Sequence, residues 1–110
     1  MPVPKVIIQT GQSWRERPER SQWATANPEY EYKYFDDVAC ASFLGAHFGR
    51  RAVRAFWGLR PGAFKADLFR YAYLFVHGGV YIDLDCVPVP GVSLDVVVPE
   101  ACYLVAGSER

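Results

Sequence analysis

A helical pattern runs directly into a β pattern between Pro61 and Leu84, with Gly78 and Gly79 as the only punctuation. No other feature constrains the fold as much. Apolar residues recur at three and four along Phe64, Leu68, Tyr71 or Ala72, and Phe75, which predicts a helix over 61–77 with that stripe facing the core. Pro61 suits a first helical turn, where its missing N–H costs nothing, and a glycine pair is a natural helix stop. Val80 to Leu84 then reads as a strand, ended by Pro88 and Pro90.

The rest of the chain repeats this alternation. Val3 to Gln9 is a β-branched run that suits a buried strand, broken by Gly11. Ser13 with Glu16 has the spacing of a capping box, predicting a helix through Trp23 that stops near Asn27-Pro28. Glu29 to Phe35 alternates, with Tyr30, Tyr32 and Tyr34 on one side, as in a second strand. Asp36 or Asp37 caps a helix across Cys40, Phe43, Leu44 and Phe48, residues 50–60 form a short helix, and a last strand runs from Ala101 to Val105. Strands alternating with helices predict an α/β fold with a mostly parallel, Rossmann-like sheet. At 110 residues, 51% of them hydrophobic, the chain has room and material for one packed domain, 1–110.

Composition excludes several classes. Twelve basic and twelve acidic residues cancel, so no net field favours nucleic acid or an anionic membrane. Arg15, Arg17 and Arg20 are diluted by Glu16 and Glu19 and read as a solvated helix face. Cys40, Cys86 and Cys102 are odd in number and lack C-x-x-C spacing, which suggests reduced thiols rather than disulfides or zinc. No apolar run approaches the roughly 20 residues of a membrane span. Met1 to Thr10 has no basic leader before a long apolar stretch. With Met1 as the native start the expected location is the cytoplasm; an upstream anchor would place the protein on the Golgi or another membrane.

The chemistry concentrates in Lys65 to Cys86. Asp83 and Asp85 stand two apart at the predicted strand end, so their carboxylates are expected on one side. Ligands of open α/β sheets bind beyond the carboxyl ends of the strands. Two close carboxylates repel unless a cation neutralises them, and oxygen ligands favour Mg²⁺ or Mn²⁺ over zinc. Asp67, Arg70 and Tyr71 share one helix edge, where Arg70 is able to pair with Asp67, a strand carboxylate or a phosphate. Each feature also has an ordinary reading: solvated strand-end aspartates, a helix-surface ion pair, a glycine C-cap, a core Tyr81, and a His77 that complements the helix dipole.

Together, Lys65-Ala66-Asp67, Arg70-Tyr71 and Gly78-Gly79-x-Tyr81-x-Asp83-x-Asp85 resemble the DXD-motif glycosyltransferases of family 32. That group contains yeast initiating α-1,6-mannosyltransferases and capsular-polysaccharide sugar transferases. The opening Val3 to Thr10 and the segment of Trp23, Asn27-Pro28 and Tyr30 to Asp37 are similar as well, so the resemblance covers about residues 3–90.

The resemblance implies a GT-A type fold, a nucleotide-sugar donor with a UDP or GDP moiety, Mn²⁺ or Mg²⁺, and transfer that retains anomeric configuration. By position, Asp85 is the metal ligand, and Asp83 touches the ribose or sugar and approaches the metal. Asp67 and Arg70 bind the donor sugar, with Arg70 near the diphosphate; Asp83, Asp85 and Arg70 form the catalytic set. Tyr81 supports the donor pocket, and Ile7, Gln9 and Thr10 line the nucleotide. The acceptor is a glycan, a lipid or a protein. Two departures stand out: Ile8 and Gly11 occupy places where the family commonly has a histidine and an aromatic residue, and Trp14 is the nearest tryptophan to Gly11. Family members continue well past the D-x-D strand, which implies that the domain is incomplete at its C-terminus; Glu100 and Glu109 have no motif support as further ligands. The alternatives are an inactive donor-binding or interaction fragment of such an enzyme and a metal-dependent phosphohydrolase, the latter lacking a nucleophile motif.

Overall fold

The computed structural model describes residues 4–18, 21–60, 62–84, 86–88, 90, 93–94 and 103–106. Val3, Pro61, Asp85, Glu100, Cys102 and Glu109 lie outside the described residues.

The chain runs β1 (Val6–Thr10), a 3₁₀ turn (Trp14–Glu16), α1 (Gln22–Ala26), β2 (Glu31–Phe35), α2 (Asp37–Phe48), α3 (Arg50–Gly58), α4 (Gly62–His77), β3 (Gly79–Ile82) and β4 (Tyr103–Ala106). The strands form one sheet in the order β2-β1-β3-β4, every pair parallel. This is the α/β architecture that the alternating pattern predicts.

Strand alternation divides the interior in two. Ile8 and Tyr81 face α2, α3 and α4, packing with Cys40, Leu44, Phe56, Phe69 and Tyr73. Ile7, Val80 and Ile82 face the other way, toward Tyr30, Leu94 and Trp23. β3 is buried along its whole length, as expected of a strand flanked by parallel neighbours. Gly79 begins it at φ 121°, and a Cβ there would stand 3.1 Å from the Val6 carbonyl oxygen. Glycine is what lets α4 turn into β3 without a longer loop.

Two expectations are corrected. The Ser13–Glu16 capping box does not start a helix to Trp23: only a 3₁₀ turn forms, and Ser13 makes no side-chain cap bond. Pro18 is the cause. Arg17 before it is extended at ψ 127°, as a residue preceding proline prefers. Ser21 caps α1 instead, accepting from the Ala24 N–H at 3.3 Å.

The second correction concerns α4. Phe64, Tyr71 and Phe75 are 51%, 62% and 82% exposed, while Phe69, Tyr73 and Leu74 are buried. Apolar residues occupy so much of this helix that a 3–4 spacing can be drawn along either stripe. The stripe bearing Phe69 and Tyr73 wins because it meets Phe35 of β2, with ring centroids 4.8 and 5.5 Å apart.

Candidate donor-binding site

The site is assembled where β1 and β3 end. Thr10 closes β1, and its hydroxyl shares a 2.9 Å hydrogen bond with the buried Tyr81 phenol. Gln9, one residue back, projects to the opposite face of the sheet and is also buried. Its Nε2 donates to the Asp83 carbonyl at 3.2 Å, and its Oε1 accepts from the Tyr32 hydroxyl at 2.9 Å. Gln9 therefore uses both ends of its amide to fix the exit of β3 against β2.

β3 ends at Ile82, not Leu84, and Asp83 opens a turn in which the Cys86 N–H donates to the Asp83 carbonyl at 3.1 Å. Strand alternation consequently stops short of Asp83, whose geometry is set by the turn and not by the pleat. The half-buried Asp83 stands at the carboxyl edge of the sheet, the position at which open α/β sheets bind ligands. Among the described residues, no group of three or more His, Cys, Asp or Glu side chains is arranged to hold a metal ion.

α4 supplies the second layer. Asp67 and Arg70 pair one turn apart, Oδ1 to Nη2 at 3.0 Å. The Arg70 guanidinium lies over the rings of Tyr71, at 5.1 Å, and Tyr81, at 5.6 Å, and Nη2 also donates to the Tyr71 hydroxyl at 3.4 Å. Its Nε–H is buried and has no hydrogen-bond partner among the described residues. Burial opposes charge on Arg70, but the Tyr71 hydrogen bond and the Asp67 carboxylate outweigh it, and the pKa is raised. Tyr81 is pushed up to about 12, chiefly by burial; the Thr10 hydrogen bond works against this and the Asp83 carboxylate adds to it. Tyr81 is thus a neutral phenol that feels Thr10, Arg70 and Asp83 at once.

Of the sequence-derived residues, Thr10, Asp67, Arg70, Tyr81 and Asp83 gather around this edge, and Gln9 braces it. The side chain of Ile7 is wholly buried in the core cluster with Val80 and Ile82, so it presents no surface to a ligand. Lys65, at the head of the motif, is used structurally, with its ammonium 3.3 Å from Asp37 and 4.9 Å from the Trp57 ring centroid.

A cavity of about 230 Å³ beside Gln9, lined by Ser21, Trp23, Leu84 and Cys86, went unread in the sequence. Trp23 closes one wall by donating its Nε1–H to the Cys86 carbonyl at 2.9 Å. Asn27, buried, accepts from the Leu94 N–H at 2.8 Å and so ties residues beyond the D-x-D turn back to α1.

Comparison with known proteins identifies the family of the chain. Residues 13–104 match the family described as glycosyltransferase sugar-binding region containing DXD motif. The chain is 32% identical to an initiation-specific alpha-1,6-mannosyltransferase of Candida albicans over 96 residues, covering 78% of this chain and 25% of that protein. To the enzyme of the same description from Schizosaccharomyces pombe it is 29% identical over 98 residues, 83% of this chain and 25% of the other. An inositol phosphoceramide mannosyltransferase 3 of the same yeast is 28% identical, over 76% of this chain and 24% of its own length. The chain thus spans about a quarter of the length of these relatives. No solved structure gives a significant match.

Proposed function

The chain belongs to the glycosyltransferases whose sugar-binding region contains a DXD motif, and from that premise we propose that it binds a nucleotide-activated sugar, with mannose the favoured sugar, for metal-dependent transfer with retention of configuration. The observation that carries this reading is the Nε–H of Arg70, buried and without a partner among the described residues, beside the sheet's carboxyl edge. An unmet guanidinium donor costs about 1–3 kcal/mol or more, which a phosphate or sugar oxygen would relieve.

Arg70 is held for that task. Asp67 and the Tyr71 hydroxyl occupy Nη2, and the rings of Tyr71 and Tyr81 flank the guanidinium plane, so Nε–H is presented in one orientation. The oxygen of Asp67 not bonded to Arg70 accepts from donor-sugar hydroxyls. Thr10 and Tyr81 form the floor, and Gln9 fixes the turn from which Asp83 projects. The cavity beside Gln9 and Trp23 receives the nucleoside.

Asp83 and Asp85 would hold the divalent cation: carboxylate oxygens suit Mn²⁺ or Mg²⁺, and such an ion neutralises charge on the diphosphate as the sugar leaves. When the anomeric C–O bond breaks, its electron pair goes to the diphosphate, and Arg70 faces the charge that develops there. The acceptor hydroxyl's proton passes to the departing diphosphate as the new glycosidic bond forms; the molecule that carries this hydroxyl is a glycan, lipid or protein.

Calorimetric titration with UDP- and GDP-sugars, with and without Mn²⁺, tests the reading. Metal-dependent binding that weakens in Asp83→Asn and Arg70→Gln is expected; no binding of either donor in the presence of metal overturns it. A second reading is favoured by the quarter-length coverage: the chain binds donor but turns over only with further polypeptide supplied. Donor binding without transfer to any acceptor would select it.

A further inference from the structure

The chain has no net charge, but its charges are segregated. Between Val38 and Ala66 there is no Asp or Glu, while Arg50, Arg51, Arg54, Arg60 and Lys65 all fall there. Asp37 neutralises Lys65. The four arginines are exposed, and none of them has an ion-pair partner among the described residues. Three stand on α3, and apolar grooves flank that helix. The larger, about 440 Å³, is lined by Leu44 and Phe48 of α2, Ala52 of α3, and Leu68, Tyr71 and Phe75 of α4. The other, about 330 Å³, runs past Gly45 and Val53 beside Arg50 and Arg54. Phe48, Tyr71 and Phe75 are 45%, 62% and 82% exposed.

We propose that this face, the arginine ridge of α3 with its apolar flanks, docks on an anionic lipid surface. Charge selects the occupant. A second copy of the chain would bring two unpaired arginine ridges together, and like charges across an interface repel. No carboxylate falls between Val38 and Ala66, and the two that flank this stretch, Asp37 and Asp67, are paired with Lys65 and Arg70, so a negative plane attracts this face. The side chains fit the same plane: arginine stems lie along apolar surface while their heads reach phosphate, and aromatic rings sit at the headgroup–acyl boundary. Tyr71 lines the groove and also accepts from Arg70, so the docking face borders the candidate site.

Co-sedimentation of the 110-residue chain with phosphatidylcholine vesicles, with and without phosphatidylserine, tests this. Binding is expected only where phosphatidylserine is present, and it should collapse as salt approaches roughly 1 M. Replacing all three α3 arginines (R50Q/R51Q/R54Q) should weaken partitioning about a hundredfold, and Phe75→Ser on the order of tenfold. The control R15Q/R17Q, which removes two charges elsewhere, should bind as the parent does. Circular dichroism confirms that each variant is folded. Absence of binding, equal binding to neutral vesicles, or equal loss in the control overturns the proposal. So does a dimer by light scattering that is broken by Phe75→Ser, which would assign the face to a second copy.

Discussion

Arg70 illustrates how much of a site is set by one residue's neighbours. A lysine at that position would keep the charge and the contact with Asp67, but it lacks the planar fork that puts one N–H on Asp67 and leaves a second, the buried Nε–H, without a partner among the described residues. Arg70→Lys should therefore leave the melting temperature nearly unchanged while weakening donor binding roughly 10–100-fold, the value of one hydrogen bond to a charged group. Calorimetry beside a thermal melt separates the two effects; equal donor affinity would remove Arg70 from the site. Gly79 is the opposite case, a residue whose importance is entirely structural. Alanine at φ 121°, with its Cβ against the Val6 carbonyl, should cost about 1–3 kcal/mol and lower the melting midpoint by roughly 5–20 °C. Gly11 explains a family departure in the same terms. The Tyr34 hydroxyl, which donates to the Ser13 carbonyl at 2.7 Å, occupies the space a side chain at Gly11 would need. The aromatic surface next to β1 is instead Trp14, edge-on to Tyr34 at 5.6 Å.

At the scale of elements, the caps decide which helices form. Asp36 accepts from the Ala39 N–H at 2.8 Å and starts α2, so Asp36→Ala should cost about 1 kcal/mol in urea unfolding. Ser13 makes no such bond, and Ser13→Ala should stay within about 0.5 kcal/mol. A comparable loss at both positions would contradict the cap assignment. The same contrast explains what was legible beforehand. The presence of the strands, a cap at Asp36 or Asp37 and the Gly78-Gly79 junction were readable because each depends on a few neighbouring residues. The register of α4 was not, because its two apolar stripes are equivalent until Phe35 and Tyr81 choose between them. Asp67, Arg70 and Asp83 could be singled out from spacing and family resemblance. The use of Gln9 as a brace, 74 residues from Asp83 along the chain, depends on parallel pairing of β1 and β3 that no local pattern encodes.

For the molecule as a whole, the buried phenols set a limit on alkaline stability. Burial pushes Tyr81 up to about 12, and pushes Tyr34 to the same value with help from Glu16 and Asp36. Tyr32 and Tyr73 are raised as well, again chiefly by burial. In the unfolded chain these phenols ionise near 10. A group whose folded pKa is raised contributes stability that is intact below its unfolded pKa and is lost as pH climbs through the folded one. Unfolding free energy should accordingly be flat through neutral pH and fall between about pH 10 and 12, with Tyr81 alone accounting for roughly 2–3 kcal/mol of the drop. Tyr81→Phe should lower stability at pH 8, because the Thr10 hydroxyl loses its partner, yet it should show a shallower alkaline decline. Urea titrations of both proteins at pH 8, 10, 11 and 12 measure the two slopes. Parallel declines would mean that Tyr81 ionises in the folded protein as it does in the unfolded chain, and that the phenol beneath Arg70 is not held neutral by its burial.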